Sequence, residues 1–202
     1  MRQVRILEHI SIDGIVQAPG GPNEDGDYAY GGWTVPHGDP AIGRAIDAAH
    51  GESFDLLLAR RTYDIFAGYW PKVGKSPIAD KLNGARKFVA THRPESLQWG
   101  PAEGLGEDIV HGIRTVKARP GPDLIVWGSS TMTPLLLEHG LADEIHLFVY
   151  PVVLGTGKRF FSDNAPALEF TLVEAKPAAS GVIVSRYRPA GPLRTGSYDE
   201  PA

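Results

Sequence analysis

The stretch at residues 56–64, LLLARRTYD, runs three leucines into two adjacent arginines with only Ala59 between them. The leucines, with Phe54 before them, have the length and composition of a short buried strand. The spacing from 62 to 69 predicts a helix. A strand that passes almost directly into a helix is the unit from which parallel α/β sheets are assembled. Two cations at the mouth of such a strand require anions nearby or open water.

The same unit recurs on both sides. Residues 4–12, VRILEHISI, are β-branched and partly alternating and end at Asp13-Gly14, a strand running into a turn. Residues 18–38 are rich in glycine and proline and form a long loop, a feature that inside a compact domain is functional or mobile. Asp39-Pro40 supplies an N-cap and a first-turn proline for a helix that Gly51 stops. A short helix is expected between Ser76-Pro77 and Asn83-Gly84, and a strand at 87–91. After a connection rich in Trp, Gly and Pro, Ile109, Ile113 and Val116 share one helical face. A strand at 124–127 breaks at Gly128, and a helix follows from Thr133-Pro134 to Gly140. A long strand at 144–153 and a hairpin of 170–176 with 182–188 complete the chain. The pattern predicts an α/β fold: a mixed, mainly parallel sheet, helices on both faces, and an antiparallel hairpin at its C-terminal edge. One domain over 1–188 is expected, with 189–202 as a mobile tail, and no internal repeat is evident.

With 202 residues the chain is long enough to bury a substantial core. A net charge of −4 gives no global basic field, so nucleic acid is not an expected partner and any positive site is local. The absence of cysteine excludes disulfides and thiolate-bound zinc. The N-terminus, charged within its first ten positions, reads as neither a signal peptide nor a membrane span; a soluble, cytoplasmic protein is expected.

In open parallel sheets, ligands bind outside the carboxyl ends of the strands. Those ends are Asp13-Gly14, Arg60-Arg61-Thr62, Thr91-His92-Arg93, Gly128-Ser129-Ser130-Thr131 and residues 150–157. Arginine forks, hydroxyls and free N–H groups together suit phosphate. The turn GSST reads either as a pyrophosphate cradle or as an ordinary capped strand-to-helix turn. The arginines read either as surface partners of Asp64 or Asp55 or as anion ligands. If the strands ending at Ala59 and Thr91 are neighbours, their cations converge on a second anion. A pyrophosphate plus a lone phosphate is the charge pattern of NADP. There is no GxGxxG and no GxSxG; GTGKRFF at 155–161 lacks the spacing of a phosphate-binding Walker loop. The seven histidines show no metal-binding spacing, and no metal is expected.

These motifs make the chain resemble the dihydrofolate reductase superfamily, above all the reductase domain of bifunctional riboflavin-biosynthesis deaminase-reductases in stand-alone form. The matching segments run from ISIDG at 10–14 through LLLARRTYD, KFVATHRPE and DLIVWGSSTM to LADEIHLFVYPVVLGTGKRFF and SRYRP. The resemblance implies an eight-stranded sheet, NADPH as cofactor, and a homodimer. It assigns Ala59, Arg60, Arg61 and Thr62, with Thr91, His92 and Arg93, to the 2′-phosphoribose end, and Gly128, Ser129, Ser130 and Thr131 to the pyrophosphate. Hydride transfer to a pterin, pyrimidine or related heterocycle is the implied reaction.

For the proton, Asp39 stands first, because WTVPHGD at 33–39 is similar to the Trp-x-x-Pro segment preceding the acid of dihydrofolate reductases, shifted by one residue. Its other reading is a helix N-cap. Asp13 is the alternative, as a substrate ligand or as the residue that fixes the turn before Gly14. Trp33, Phe66 and Tyr150 are candidates for an aromatic substrate slot, with Gly155 closing over it. Two other classes remain open: a silent NADP-binding sensor and a structural module.

Overall fold

The computed structural model describes residues 1–161 and 165–198, which form an eight-stranded sheet in the order β4-β3-β2-β5-β1-β6-β8-β7. The strands are β1 (Val4–Ser11), β2 (Phe54–Ala59), β3 (Lys87–Ala90), β4 (Ala102–Gly104), β5 (Asp123–Trp127), β6 (Glu144–Tyr150), β7 (Leu168–Pro177) and β8 (Ile183–Pro192). All neighbouring pairs from β4 to β6 are parallel, and β8 runs against both β6 and β7. The helices are α1 (Pro40–His50), α2 (Arg60–Tyr69), α3 (Pro77–Gly84), α4 (Ile109–Ala118) and α5 (Met132–Glu138).

Alternation along the strands divides the core between the two faces of the sheet. Ile6, Ile10, Leu57, Leu124 and Val126 pack with Ile113 and Val116 of α4 and Leu136 of α5. Leu7, Leu56, Leu58 and Ile125 pack on the other face with Ile42 of α1, Tyr63 of α2 and Leu82 of α3. Helices therefore cover both faces, as the strand–helix alternation requires. Gly112 inside α4 has a packing reason: a Cβ there would stand 2.1 Å from the carbonyl oxygen of Leu105.

Asp39 caps α1, its Oδ1 accepting from the Ala41 N–H at 2.8 Å, ahead of Pro40 at the first position. Asp108 caps α4 in the same manner through the His111 N–H at 2.9 Å.

Four details differ from the sequence reading. Helix α2 starts at Arg60 rather than Thr62, so both arginines lie in its first turn. The Trp/Gly/Pro-rich connection contains β4, three residues that pair with β3 and form one edge. Strand β6 ends at Tyr150. Strand β8 continues past the expected domain boundary at 188 to Pro192, and Arg194 then pairs with Glu169 at 2.9 Å. Pairing of β6 with β8 stops at Tyr187, so β8 has one open side at Pro189, where a missing N–H is tolerated. The last four residues of the expected tail, 199–202, lie outside the described residues.

Candidate active site

Strands β2, β5 and β1 are neighbours, so their carboxyl ends open onto one edge of the sheet. A cavity of about 900 Å³ lies there. Its walls are Ala59, Thr62 and Phe66 from β2 and α2, the turn Trp127–Thr131, Glu8 and His9 from β1, and the loop at 16–25. The chain passes from β1 to β2 over the place that β5 later fills, and this break in strand order is where α/β sheets leave a crevice.

Thr62 Oγ1 donates to the Gly128 carbonyl at 2.8 Å and ties the start of α2 to the turn after β5. Ser129 Oγ accepts from the N–H of Met132, the first residue of α5, at 3.0 Å, and the Ser129 backbone N–H lies near the Glu8 carboxyl. Ser129 is thus both a wall residue and an anchor for the start of α5, and Ser130 and Thr131 continue the polar wall. Two cations also line the cavity, Arg61 and Lys158. Both pair with Asp25 of the overlying loop, Arg61 at 3.2 Å and Lys158 at 2.5 Å. Burial opposes the charge on Asp25, but its bonds to Lys158 and the proximity of Arg61 outweigh burial and lower its pKa.

Arg60 turns away from this cavity into a corner between β2 and β3. Those strands pair with Ala59 opposite Ala90, the adjacency on which convergence of the two cationic strand ends depends. Arg60 Nη1 donates to Ser96 Oγ at 2.6 Å and Thr91 Oγ1 at 3.2 Å, and its Nε reaches Asp64 at 2.9 Å. Thr91 Oγ1 also accepts from the Arg93 N–H at 3.1 Å, and His92 is exposed. Asp55, the other weighed partner of the arginines, is held by Arg2.

The two aspartates considered as proton donors are engaged elsewhere. Asp39 gives its second oxygen to the Ser180 N–H at 3.1 Å, joining α1 to the β7–β8 turn, and these amides lower its pKa. Asp13 accepts from the Ser11 hydroxyl at 2.6 Å and from the N–H groups of Leu154 and Gly155 at 3.1 and 2.7 Å. The Ser11 hydroxyl is the largest cause holding its pKa down to about 2, so Asp13 is an ionised turn anchor. Neither lines the cavity. Trp33 is buried, its indole N–H donating to the Gln17 carbonyl at 2.8 Å and its ring edge meeting Tyr150. Tyr150 lies behind the wall, its hydroxyl 3.0 Å from His9 Nδ1, and burial raises its pKa to about 12. Of the three aromatic-slot candidates, only Phe66 lines the cavity, and Gly155, expected to close over it, serves the Asp13 turn.

Residues 2–184 match the RibD C-terminal domain family. The chain belongs to that family. Its curated relative YyaP of Bacillus subtilis (strain 168), itself uncharacterised, is 26% identical over 133 residues, 63% of this chain and 70% of YyaP. A putative riboflavin biosynthesis protein from Shewanella sp. PV-4 superposes with a TM-score of 0.68 at 18% identity, over 93% of this chain and 98% of the other. A pyrimidine reductase-like protein of Corynebacterium diphtheriae gives 0.64 at 15%, over 96% and 93%. Dihydrofolate reductase of Enterococcus faecalis, complexed with NADP(H) and RAB-propyl, gives 0.58 at 11%, over 93% and 96%. The shared architecture is the dihydrofolate reductase-like sheet.

Within this member of the RibD C-terminal domain family, Glu8, Asp25 and Lys158 are wall residues with no role in the sequence reading, and His9 entered it only as one of seven histidines without metal-binding spacing. Glu8 and His9 are adjacent on the central strand and project to opposite faces of the sheet. His9 sits among Trp127, Phe148 and Tyr150, and burial lowers its pKa to about 4, leaving a neutral imidazole. Glu8 is 1% exposed, and burial pushes its carboxyl well above the usual range. An acid at an inward position of a central strand was the available signal. No helix among the described residues is long and apolar enough to cross a membrane, and none of their His, Asp or Glu side chains form a group of three or more suited to a metal ion.

Proposed function

We propose that this protein is an NADPH-dependent oxidoreductase that reduces a pterin, a pyrimidine or a related flat heterocycle. The observation that carries this reading is the composition of the cavity wall. Beside an apolar floor it holds Arg61, Lys158 and the hydroxyls of Thr62, Ser130 and Thr131, with the Arg60–Thr91–Ser96 corner adjacent. A volume of about 900 Å³ lies at the upper end of small-molecule sites and leaves room for two ring systems.

The donor set fits a dinucleotide phosphate. Ala59, Arg61, Thr62, Gly128, Ser129, Ser130 and Thr131 would hold the pyrophosphate, and Arg60, Thr91, His92 and Arg93 the 2′-phosphate. Bound there, the reduced nicotinamide supplies a hydride to an electrophilic C=N or C=O carbon. The chain itself contributes orientation and water exclusion. Phe66 offers a ring face to a flat substrate, Trp127 closes the floor with its indole N–H on His50 at 3.1 Å, and the 16–25 loop covers the mouth. Trp33 and Tyr150 support that wall from behind through Gln17 and His9, while Asp13, Asp39 and Gly155 fix turns outside it. Action in the cytoplasm and a homodimer, with the exposed β7–β8 side chains as its contact, belong to the same reading.

Fluorescence titration tests the cofactor. NADPH is expected to bind at about micromolar Kd or tighter, and NADH at least tenfold more weakly, the loss of one charge-assisted phosphate contact. Equal affinities would remove the role given to the Arg60 corner. Loss of NADPH absorbance against a panel of pterins and ribosylaminopyrimidines then separates a reductase from a silent nucleotide-binding sensor, which would bind without turnover.

A further inference from the structure

Reduction of a C=N or C=O bond needs a proton as well as a hydride, and the expected acids, Asp13 and Asp39, are both committed to backbone amides away from the cavity. We propose, on the reductase reading above, that Glu8 supplies this proton. It lines the cavity from the central strand, the backbone N–H groups of Ser129 and His9 lie near its carboxyl, and its Oε2 is buried with no hydrogen-bond partner among the described residues.

A buried, unpartnered carboxyl oxygen on a residue that lines a ligand-sized cavity is costly as a carboxylate and tolerable as an acid. Gly128 lies against it. A Cβ at that position would lie 3.4 Å from Glu8 Oε1, and the backbone φ of +36° there favours glycine. The same turn that borders the proposed pyrophosphate position therefore also abuts the acid.

The other titratable groups on this wall are less suited. His9 has Nδ1 against the Tyr150 hydroxyl and is neutral at physiological pH. Glu24 receives the Gly20 and Gly21 N–H groups within its own loop. Its charge also disfavours ionisation of Glu8. Arg61, Lys158 and Asp25 form one ion-paired cluster in the wall, and Asp64 is held by Arg60.

The step balances. As the substrate carbon accepts hydride from the reduced nicotinamide, the π pair moves onto the ring nitrogen or oxygen. The Glu8 O–H bond breaks and that atom gains the proton. The resulting carboxylate is reprotonated from water after product leaves.

The decisive experiment reads the acid directly. In protein labelled with ¹³C at glutamate Cδ, the Glu8 signal is assigned by its absence in Glu8→Gln. It is expected to stay in the neutral position at pH 7, both free and with NADP⁺. An ionised Glu8 at pH 7 overturns the proposal whatever the cofactor proves to be, whereas failure of NADPH to bind overturns the reductase reading alone. Stability gives a second readout. An acid with a raised folded pKa destabilises the native state progressively as pH climbs from its unfolded value of 4.5. Glu8→Gln, which keeps the shape and cannot ionise, should therefore raise Tm at pH 8 by about 2–4 °C. With whichever panel compound the wild type reduces, Glu8→Gln should keep NADPH affinity within about threefold and lose about 100-fold or more in kcat. Its residual rate should also lose the alkaline limb of the wild-type pH profile. A Glu8→Gln enzyme with wild-type kcat overturns the assignment.

Discussion

Arg60 donates from Nε to both oxygens of Asp64 and from Nη1 to Ser96, whereas Arg61, the next residue, pairs with Asp25 and keeps 58% of its side chain exposed. Successive residues in the first turn of a helix point about 100° apart, so the pair serves two sites rather than one. Arg60→Ala is expected to weaken NADPH about 10- to 100-fold and leave NADH unchanged, because its corner fits the lone phosphate. Arg61→Ala is expected to weaken both cofactors alike, because Arg61 lines the cavity that the Gly128–Thr131 turn also borders. Isothermal titration of the two variants with both nucleotides checks this, and matching losses for the two variants would dissolve the division. The sequence showed both arginines and their strand neighbours; it did not separate them, since that depends on where α2 starts. Glu8 was legible but not read: in VRILEHISI it alternates with Val4, Ile6 and Ile10, so the strand period places an acid on an inward face.

At the scale of elements, the strand-to-helix units were legible because each carries its own punctuation: Asp39-Pro40 and Gly51 around α1, Ser76-Pro77 before α3, Gly128 after β5. Strand β4 was hidden because three residues, one of them glycine, carry no period, and only the β3 ladder defines them. The loop at 18–38 was read as functional or mobile, and its structure is self-closing. Gly32 N–H donates to the Ala18 carbonyl at 2.8 Å, Thr34 Oγ1 to the Pro19 carbonyl at 2.7 Å, and a Cβ on Gly31 would strike the Gly21 carbonyl at 2.6 Å. Its tie to the cationic wall is Asp25, which occupies Arg61 and Lys158 as a phosphate would. Asp25→Asn is therefore expected to tighten NADPH about three- to tenfold and to speed hydrogen exchange at 19–27, since exposed ion pairs contribute little beyond their position. The carboxyl has a lowered pKa, so its contribution is complete above the unfolded value of 3.8 and is lost only as pH falls through the lower folded value. The Asp25 effect should accordingly be constant from pH 5 to 8. Weaker binding by Asp25→Asn would mean that the loop, docked by Asp25, is itself part of the site.

The whole molecule is asymmetric across its sheet. One edge, β4, is three residues long, whereas the other, β7, is ten residues long and largely exposed. Leu172, Val173 and Ile183 of the β7–β8 hairpin are 54%, 37% and 47% exposed, on the side of the sheet beyond β6 from the cavity strands β2, β5 and β1. A long edge strand invites pairing, but the register shifts at Glu169/Phe170 and Leu172/Glu174 break its ladder. The hairpin is therefore suited to being covered by side-chain packing and not to extending the sheet. A second copy placed about a twofold axis would bring the same patch onto itself, the self-complementary arrangement of closed dimers. We expect the protein to sediment at twice its 21.8 kDa chain mass at micromolar concentration. The double variant Leu172→Asp/Val173→Lys should sediment as a monomer. Because the hairpin contributes no side chain to the cavity wall, that variant should retain NADPH affinity within about twofold. A wild-type monomer would leave these side chains merely exposed, and a monomeric variant that loses the nucleotide would place the second copy within reach of the site.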